Sequence, residues 1–141
     1  MSAIFWIISG IILITLYFLY AGVIMKKNKV KEASAGIDVQ LKKRYDLIPN
    51  LLNMAAKFMA HESKLMEEIT KLRTAAMANS FKDNPQEKIK NEKLLESKLK
   101  EFNLSVENYP DLKSNQTMMT AMQSMNEVEE HIAAAKAKIG R

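Results

Sequence analysis

The stretch Ile37-Asp-Val-Gln-Leu-Lys-Lys-Arg-Tyr-Asp-Leu-Ile-Pro-Asn-Leu-Leu52 mixes acidic, amide, basic and aromatic side chains with aliphatic ones, and it contains a proline. Its apolar residues before the proline continue a spacing of three and four that begins upstream. Such spacing predicts one apolar face of a helix over about residues 27–47. The residues of this face are Val30, Ala33, Ile37, Leu41 and Tyr45.

Pro49 decides how this helix continues, since a proline fits the first turn of a helix and disrupts its interior. The residue before a proline is also driven towards extended conformations. We therefore predict that the first helix ends near Leu47 and that a new helix begins at Pro49, with Asp46 in its N-cap region. One kinked helix running through Pro49 is the alternative interpretation.

Three further helical segments follow from apolar residues at helical spacing and from the positions of prolines and polar residues. They cover about residues 49–79, 85–108 and 110–139. The stretch Asn79-Ser-Phe-Lys-Asp-Asn84 is the clearest loop, with Asp83 or Asn84 capping the helix that begins at Pro85. Four helical segments with short connections and no strand pattern predict an all-α fold, an antiparallel bundle of long helices.

Residues 2–25 carry no charged side chain and are predominantly apolar. As a helix they span roughly 36 Å, enough for a hydrocarbon core of about 30 Å. Trp6 lies near one end and two tyrosines near the other, where such rings favour the membrane interface. A cleaved signal peptide is disfavoured because no basic side chain precedes the apolar run. We predict a transmembrane anchor over residues 1–25 and a helical bundle domain over residues 26–141.

Four lysines follow the apolar run directly, namely Lys26, Lys27, Lys29 and Lys31. The positive-inside rule then places the bundle domain in the cytoplasm and the N-terminus outside. Residues 26–48 contain seven basic and three acidic side chains, whereas residues 49–141 contain 14 and 13. The four lysines are candidates for contact with anionic lipid headgroups, although charge that only sets topology is the favoured interpretation. The nearly neutral remainder argues against nucleic-acid binding.

The sequence contains no recognisable catalytic set. No cysteine is present, which excludes disulfides, thiolate metal ligands and a cysteine nucleophile. His61-Glu62 is similar to the start of a zinc-protease helix, but the position of the second histidine is Leu65. Glu127 and His131 are four residues apart rather than the three of a carboxylate di-iron motif. We predict a protein that is not an enzyme, with no catalytic residue, metal site or cofactor.

The polar residues of the opening stretch have two interpretations. Candidates for a surface that contacts a protein partner, or a second copy of the chain, are Arg44, Tyr45, Asp46 and Asn50. Pairing of Arg44 and Asp46 with other helices of the bundle is the default interpretation, since polar networks between helices also fix their alignment. The ten methionines are interpreted as core packing at helical spacing, with a partner-binding groove as the alternative.

The opening stretch resembles the signature of the LemA family, bacterial membrane proteins with one N-terminal span. Two further segments match in the family's order, Glu107-Asn-Tyr-Pro-Asp-Leu-Lys113 with Asn115 after it and Glu130-His-Ile-Ala-Ala-Ala135. The resemblance implies a single-pass anchor in the bacterial inner membrane, a mostly helical bundle and no established enzymatic activity. We expect a membrane-anchored interaction or scaffold protein; a protein that organises the membrane surface through its basic segment is the alternative.

The resemblance ends before the C-terminus. Members of the family continue the last helix with a basic residue, an aromatic residue and an asparagine, whereas this chain reads Lys136-Ala-Lys-Ile-Gly-Arg141. A short variant and a truncated copy are both compatible with this ending. A shortened last helix is expected to leave apolar surface uncovered near the anchored end of the bundle.

Overall fold

The computed structural model describes residues 2–139, and within this range the side chains of Val30 and Ala33 lie outside the described part. The predicted apolar face is therefore followed here from Ile37 onwards. The helices are α1 Ser2–Ala55, a 3-10 turn Ala60–Glu62, α2 Ser63–Ala78, α3 Pro85–Val106, α4 Pro110–Lys113 and α5 Gln116–Ile139. Residues 2–139 contain no strand, so the predicted all-α fold is confirmed.

Helix α1 is 54 residues long and runs through Pro49 without a break. The prediction that a new helix begins at Pro49, with Asp46 in its N-cap region, is wrong. The alternative was one kinked helix running through Pro49; its continuity is confirmed, and its kink stays a prediction. The proline removes one backbone hydrogen bond from the helix interior. Burial of the apolar face on both sides of the proline offsets this loss, since Ile48 and Leu51 are 1% and 2% exposed.

Two turns that the sequence did not signal divide the predicted segments. Segment 49–79 is interrupted between α1 and α2, where Met59 is fully buried and its N–H donates to the carbonyl of Ala55 at 2.8 Å. Segment 110–139 is interrupted between α4 and α5. The first turn contains neither proline nor glycine, so its apolar anchor Met59 was indistinguishable from a helical core residue.

Asparagine side chains cap the starts of two helices. Before α3, the Asn84 side chain accepts a hydrogen bond from the Glu87 N–H at 3.2 Å, which confirms the predicted loop and one of its two predicted caps. Before α5, the Asn115 side chain accepts one from the Met118 N–H at 3.1 Å. Each cap satisfies a backbone donor that the first helical turn leaves unpaired.

The long helices α1, α2, α3 and α5 pack as a bundle in which successive members run antiparallel. Lys29 of α1 lies beside Lys138 near the end of α5, whereas Met54 lies beside Asn115 just before α5 begins. The end at which α1 enters the bundle is called the basal end here. The loop before α3 and the last turn of α5 lie at the same end, next to Ile37.

The first part of α1 projects from the basal end of the bundle. Its large apolar side chains are exposed, Trp6 by 74%. This part of α1 is long and apolar enough to cross a membrane, judged by length and composition. The predicted arrangement of an apolar N-terminal helix followed by an antiparallel helical bundle is therefore confirmed.

Candidate functional site

Charged side chains meet inside the bundle at Arg44, a residue predicted to belong to a partner-binding surface. The Arg44 guanidinium is completely buried and donates through Nη2 to Glu92 of α3 and through Nη1 to Glu129 of α5, the latter at 2.7 Å. One arginine thus joins three helices. Together with Tyr45 and Lys88, these residues are called the charged cluster.

Tyr45 and Lys88 complete the charged cluster on its α2 side. The Tyr45 hydroxyl donates to Glu92, and it accepts a hydrogen bond from Lys88 Nζ at 2.6 Å. Lys88 Nζ also donates to the carbonyl of Ala76 at 2.6 Å and lies 3.0 Å from Glu92. The backbone carbonyl of Tyr45 accepts from Arg73 Nε at 2.7 Å. Every helix of the bundle therefore contributes at least one group to this polar network.

The charges of the cluster compensate one another. Two cations, Arg44 and Lys88, face two carboxylates, Glu92 and Glu129. Burial lowers the pKa of Arg44, but the Glu129 and Glu92 carboxylates together raise it by more than burial lowers it. The pKa of Arg44 therefore lies above its ordinary value. Burial and the adjacent Glu92 carboxylate raise the pKa of Tyr45, which keeps its hydroxyl protonated as a donor. In this arrangement the charged groups pair with one another and thereby hold the helices together.

The four predicted interaction residues divide into two pairs. Arg44 and Tyr45 are buried, at 0% and 7% exposure, so their side chains are not available to a partner in this conformation. The default interpretation of Arg44, pairing with other helices, is what the structure has. Asp46 and Asn50 are exposed on α1. Their role in partner binding stays a prediction.

Asp46 lies on one wall of a groove between α1 and α5. The groove has a volume of about 340 Å³. Six of the eight residues that line it are polar or charged, among them Lys43 and Asp46 on the α1 side and Glu127 and His131 on the α5 side. Both signs of charge and an exposed histidine are thus presented along one helical seam.

The four lysines predicted to contact lipid are exposed, and they lie on α1 between its apolar part and the bundle. Antiparallel packing brings the end of α5 close to them, with Lys138 beside Lys29. The basal end of the bundle therefore carries basic side chains from two helices. The sequence placed only the α1 lysines there.

Within residues 2–139, no group of histidine, cysteine or acidic side chains has the arrangement of a metal site. His61 lies in the 3-10 turn after α1, and His131 lies on α5 facing the seam with α1. Glu127 and His131 line the same groove without forming a ligand set. The prediction of no metal or cofactor is not tested by this observation.

Lys88, Glu92 and Glu129 are the members of the charged cluster that the sequence did not predict. Lys88 and Glu92 lie one turn apart on α3 and continue the spacing of the buried residues Leu95 and Leu99. A pattern of apolar residues that runs on into charged ones at the same helical positions predicts buried charge or a helix end. On α3 this pattern indicated buried charge.

The methionines of α5 support their predicted role in packing. Met118 and Met125 are 0% and 3% exposed, and Met122 is partly buried against the same core. Met119, on the other face, is 51% exposed. Flexible thioether side chains thus fill space in the apolar core of the bundle, which is a common use of methionine.

Fold and site together define a class: an all-α protein with an apolar N-terminal helix and a bundle held in alignment by buried charge. Comparison with known families narrows this class, because the sequence model of the LemA family matches residues 33–139. The chain belongs to the LemA family, as its opening stretch indicated. A comparison with curated proteins found no match.

Proposed function

We propose that this protein is a membrane-anchored scaffold without catalytic activity, which presents a partner-binding surface in a fixed direction. The continuity of α1 carries the proposal, because one helix contains both the apolar stretch and the first helix of the bundle. A flexible linker would let the bundle rotate freely, whereas a continuous helix transmits orientation. Membership of the LemA family supports a helical, membrane-associated protein.

The proposed partner surface is the α1–α5 groove that contains Asp46, extended along α1 to Asn50. Its exposed charges have both signs, with Lys43 and Asp46 one turn from each other. Such patterns favour an oriented protein partner over a small apolar ligand. A second copy of the chain and an unrelated protein are both candidates for that partner.

Site-specific photocrosslinking in cells tests this surface. A photoreactive residue at Asp46 or Asn50 is expected to trap one discrete partner, because both side chains are exposed on the same stretch of α1. The same residue at Thr70, exposed on α2, is the matched control and is expected to trap none of it. Equal, diffuse products from all three positions would contradict the proposed surface.

The bundle is proposed to face the cytoplasm of a bacterial cell, since the lysines follow the apolar stretch. The absence of cysteine from the sequence makes the orientation directly measurable. A single cysteine introduced at Ser97, exposed on α3, is expected to react with a membrane-impermeant maleimide only after the cells are opened. Reaction in intact cells would reverse the proposed orientation.

Organisation of the membrane surface is a second candidate function. It is favoured by one observation, the approach of Lys138 of α5 to Lys29, one of the four lysines that follow the apolar stretch of α1. Clustered basic residues near a bilayer attract anionic lipid, by roughly 1 kcal/mol each. Replacing Lys26, Lys27, Lys29 and Lys31 with glutamine is expected to abolish enrichment of anionic lipid around the reconstituted protein. An unchanged lipid composition would contradict this candidate.

A further inference from the structure

A second groove opens at the basal end of the bundle, between α1, α3, α5 and the loop before α3. Its volume is about 340 Å³. Ile37 and Leu41, which are buried in the bundle, form its floor. Phe81, Ile89 and Ile139 line it and are 37%, 46% and 43% exposed. Three large apolar side chains that surround a cavity and remain open to solvent mark a surface suited to an apolar ligand.

Basic side chains lie at the edge of this basal groove. Lys93 of α3 and Lys136 of α5 both line it. The acidic residue of its lining, Glu92, is already held by the charged cluster. Lys136 also lies 3.6 Å from Glu96, an ion pair near the surface that is weakly held. The rim is therefore electrostatically complementary to an anionic head group.

The size of the basal groove limits how much of a ligand it holds. A methylene group is similar in size to a water molecule, which occupies roughly 30 Å³ in the liquid, so the groove accommodates on the order of ten such groups. That is one alkyl chain of moderate length. The two chains of a membrane phospholipid do not fit together.

The position of the basal groove suits an amphiphilic ligand. Ile37 on its floor follows Met25, the last residue of the uncharged stretch, by 12 residues of continuous helix. This spacing corresponds to about 18 Å along the helix. If α1 is anchored as proposed above, the groove opens a short distance from the bilayer surface, where single-chain amphiphiles concentrate.

We propose that the basal groove binds a single-chain fatty acid, with its alkyl chain on Ile37, Leu41 and Ile89 and its carboxylate at Lys93 and Lys136. Three observations carry this assignment: the exposed apolar walls, the volume for one chain, and the basic rim. The site is separate from the α1–α5 groove assigned to a protein partner. Either surface can therefore be disproved without the other.

Photolabelling of the full chain tests the proposal. The protein is reconstituted in phosphatidylcholine nanodiscs and exposed to dodecanoic acid that carries a diazirine at its terminal carbon. Labelling is expected in the peptides that contain Phe81, Ile89 and Ile139. Excess unlabelled dodecanoate is expected to reduce it about tenfold, and methyl dodecanoate much less, because the ester has no charge for the lysines to bind.

Matched variants on α3 distinguish binding in this groove from nonspecific adsorption of the fatty acid to the protein surface. Ile89→Glu, which places a charge against the alkyl chain, is expected to reduce labelling about tenfold. Leu94→Glu is its control, since Leu94 is 44% exposed on the same helix but outside the groove. Lys93→Glu is also expected to reduce labelling, whereas Lys90→Glu, an exposed lysine outside the groove, is not. Circular dichroism establishes that each variant is folded.

Several results would overturn the proposal. One is labelling of folded Ile89→Glu or Lys93→Glu protein at the level of the original chain. Another is equal competition by the methyl ester, since it would show no selection for negative charge. Labelling by a diazirine-bearing phospholipid that dodecanoate cannot displace would assign the groove to the bilayer itself. A dimer in native mass spectrometry whose groove is protected without any amphiphile would assign it to a second copy.

Discussion

Two layers of the same bundle hold the helices together through different interactions, one through buried ion pairs and the other through apolar contacts. In the charged cluster, α1, α3 and α5 meet through Arg44 and the carboxylates of Glu92 and Glu129. Further from the basal end they meet through an apolar layer that contains Leu51, Leu99, Phe102, Val106 and Met118. Apolar contacts are non-directional, whereas a buried guanidinium between two carboxylates fits one alignment. The apolar layer therefore supplies most of the net stability. The charged layer specifies how the helices align, and it destabilises the fold strongly when one of its partners is removed.

Removal of the arginine is the strongest test of this division. Arg44→Ala leaves Glu92 as a buried carboxylate without its main cation, and it is expected to lower the free energy of unfolding by about 3–5 kcal/mol. Chemical denaturation of the purified full chain in detergent, followed by far-UV circular dichroism, measures the loss. A loss below about 1 kcal/mol would show that water or Lys88 replaces the guanidinium, which would remove the distinction between the layers.

Truncation in the apolar layer is expected to have the next largest effect. Leu99→Ala removes a side chain that is 5% exposed and leaves a cavity, for an expected loss of about 2–4 kcal/mol in the same denaturation experiment. Leu99→Met is its control and should cost less than about 1.5 kcal/mol, because it nearly preserves volume. If Leu99→Met cost as much as Leu99→Ala, the apolar layer would also require one specific fit.

High pH is expected to weaken the charged layer through Tyr45. Its pKa is raised by burial and by the Glu92 carboxylate, so the hydroxyl stays protonated in the folded chain, while the unfolded chain ionises near the ordinary value of 10.0. The unfolded state therefore binds fewer protons above pH 10, and stability falls as pH rises, by up to about 1.4 kcal/mol per pH unit from this group.

Tyr45→Phe is expected to remove that part of the pH dependence, although it also deletes a hydrogen bond at neutral pH. The free energy of unfolding of the original protein and of the Tyr45→Phe variant is measured between pH 8 and about pH 11. The two dependences on pH are then compared by their slopes. Parallel slopes for Tyr45→Phe and the original chain would mean that the cluster opens before Tyr45 ionises.

The apolar layer was largely predictable from the sequence, and the charged layer only partly so. Helical spacing predicted a buried face because 3.6-residue periodicity is a local property of the chain. The partners of Arg44 lie 48 and 85 residues away, and no local pattern specifies such distances. Arg44 and Tyr45 were predicted to contact a partner because their side chains are polar. In the structure the same polar groups form contacts inside the bundle.

The course of the chain at Pro49 and Met59 shows a second limit of prediction from the sequence. Proline disfavours a helix interior, but packing on both sides keeps α1 continuous through Pro49. After Ala55 the opposite happens, since the chain turns where the local sequence favours a helix, and Met59 is buried in the corner. In both places tertiary packing overrides local preference, which a single sequence does not show.

The smallest expected effect comes from an ion pair that has nearly the same geometry as those of the charged cluster. Lys71 and Glu67 are 2.8 Å apart on α2, whereas Arg44 and Glu129 are 2.7 Å apart. The two side chains on α2 are 73% and 64% exposed, so water solvates them as well after the pair is broken. Lys71→Ala is therefore expected to leave the denaturation midpoint within experimental error. A shift as large as that of Arg44→Ala would show that distance rather than burial decides the strength of these pairs, and the contrast between the layers would lose its physical basis.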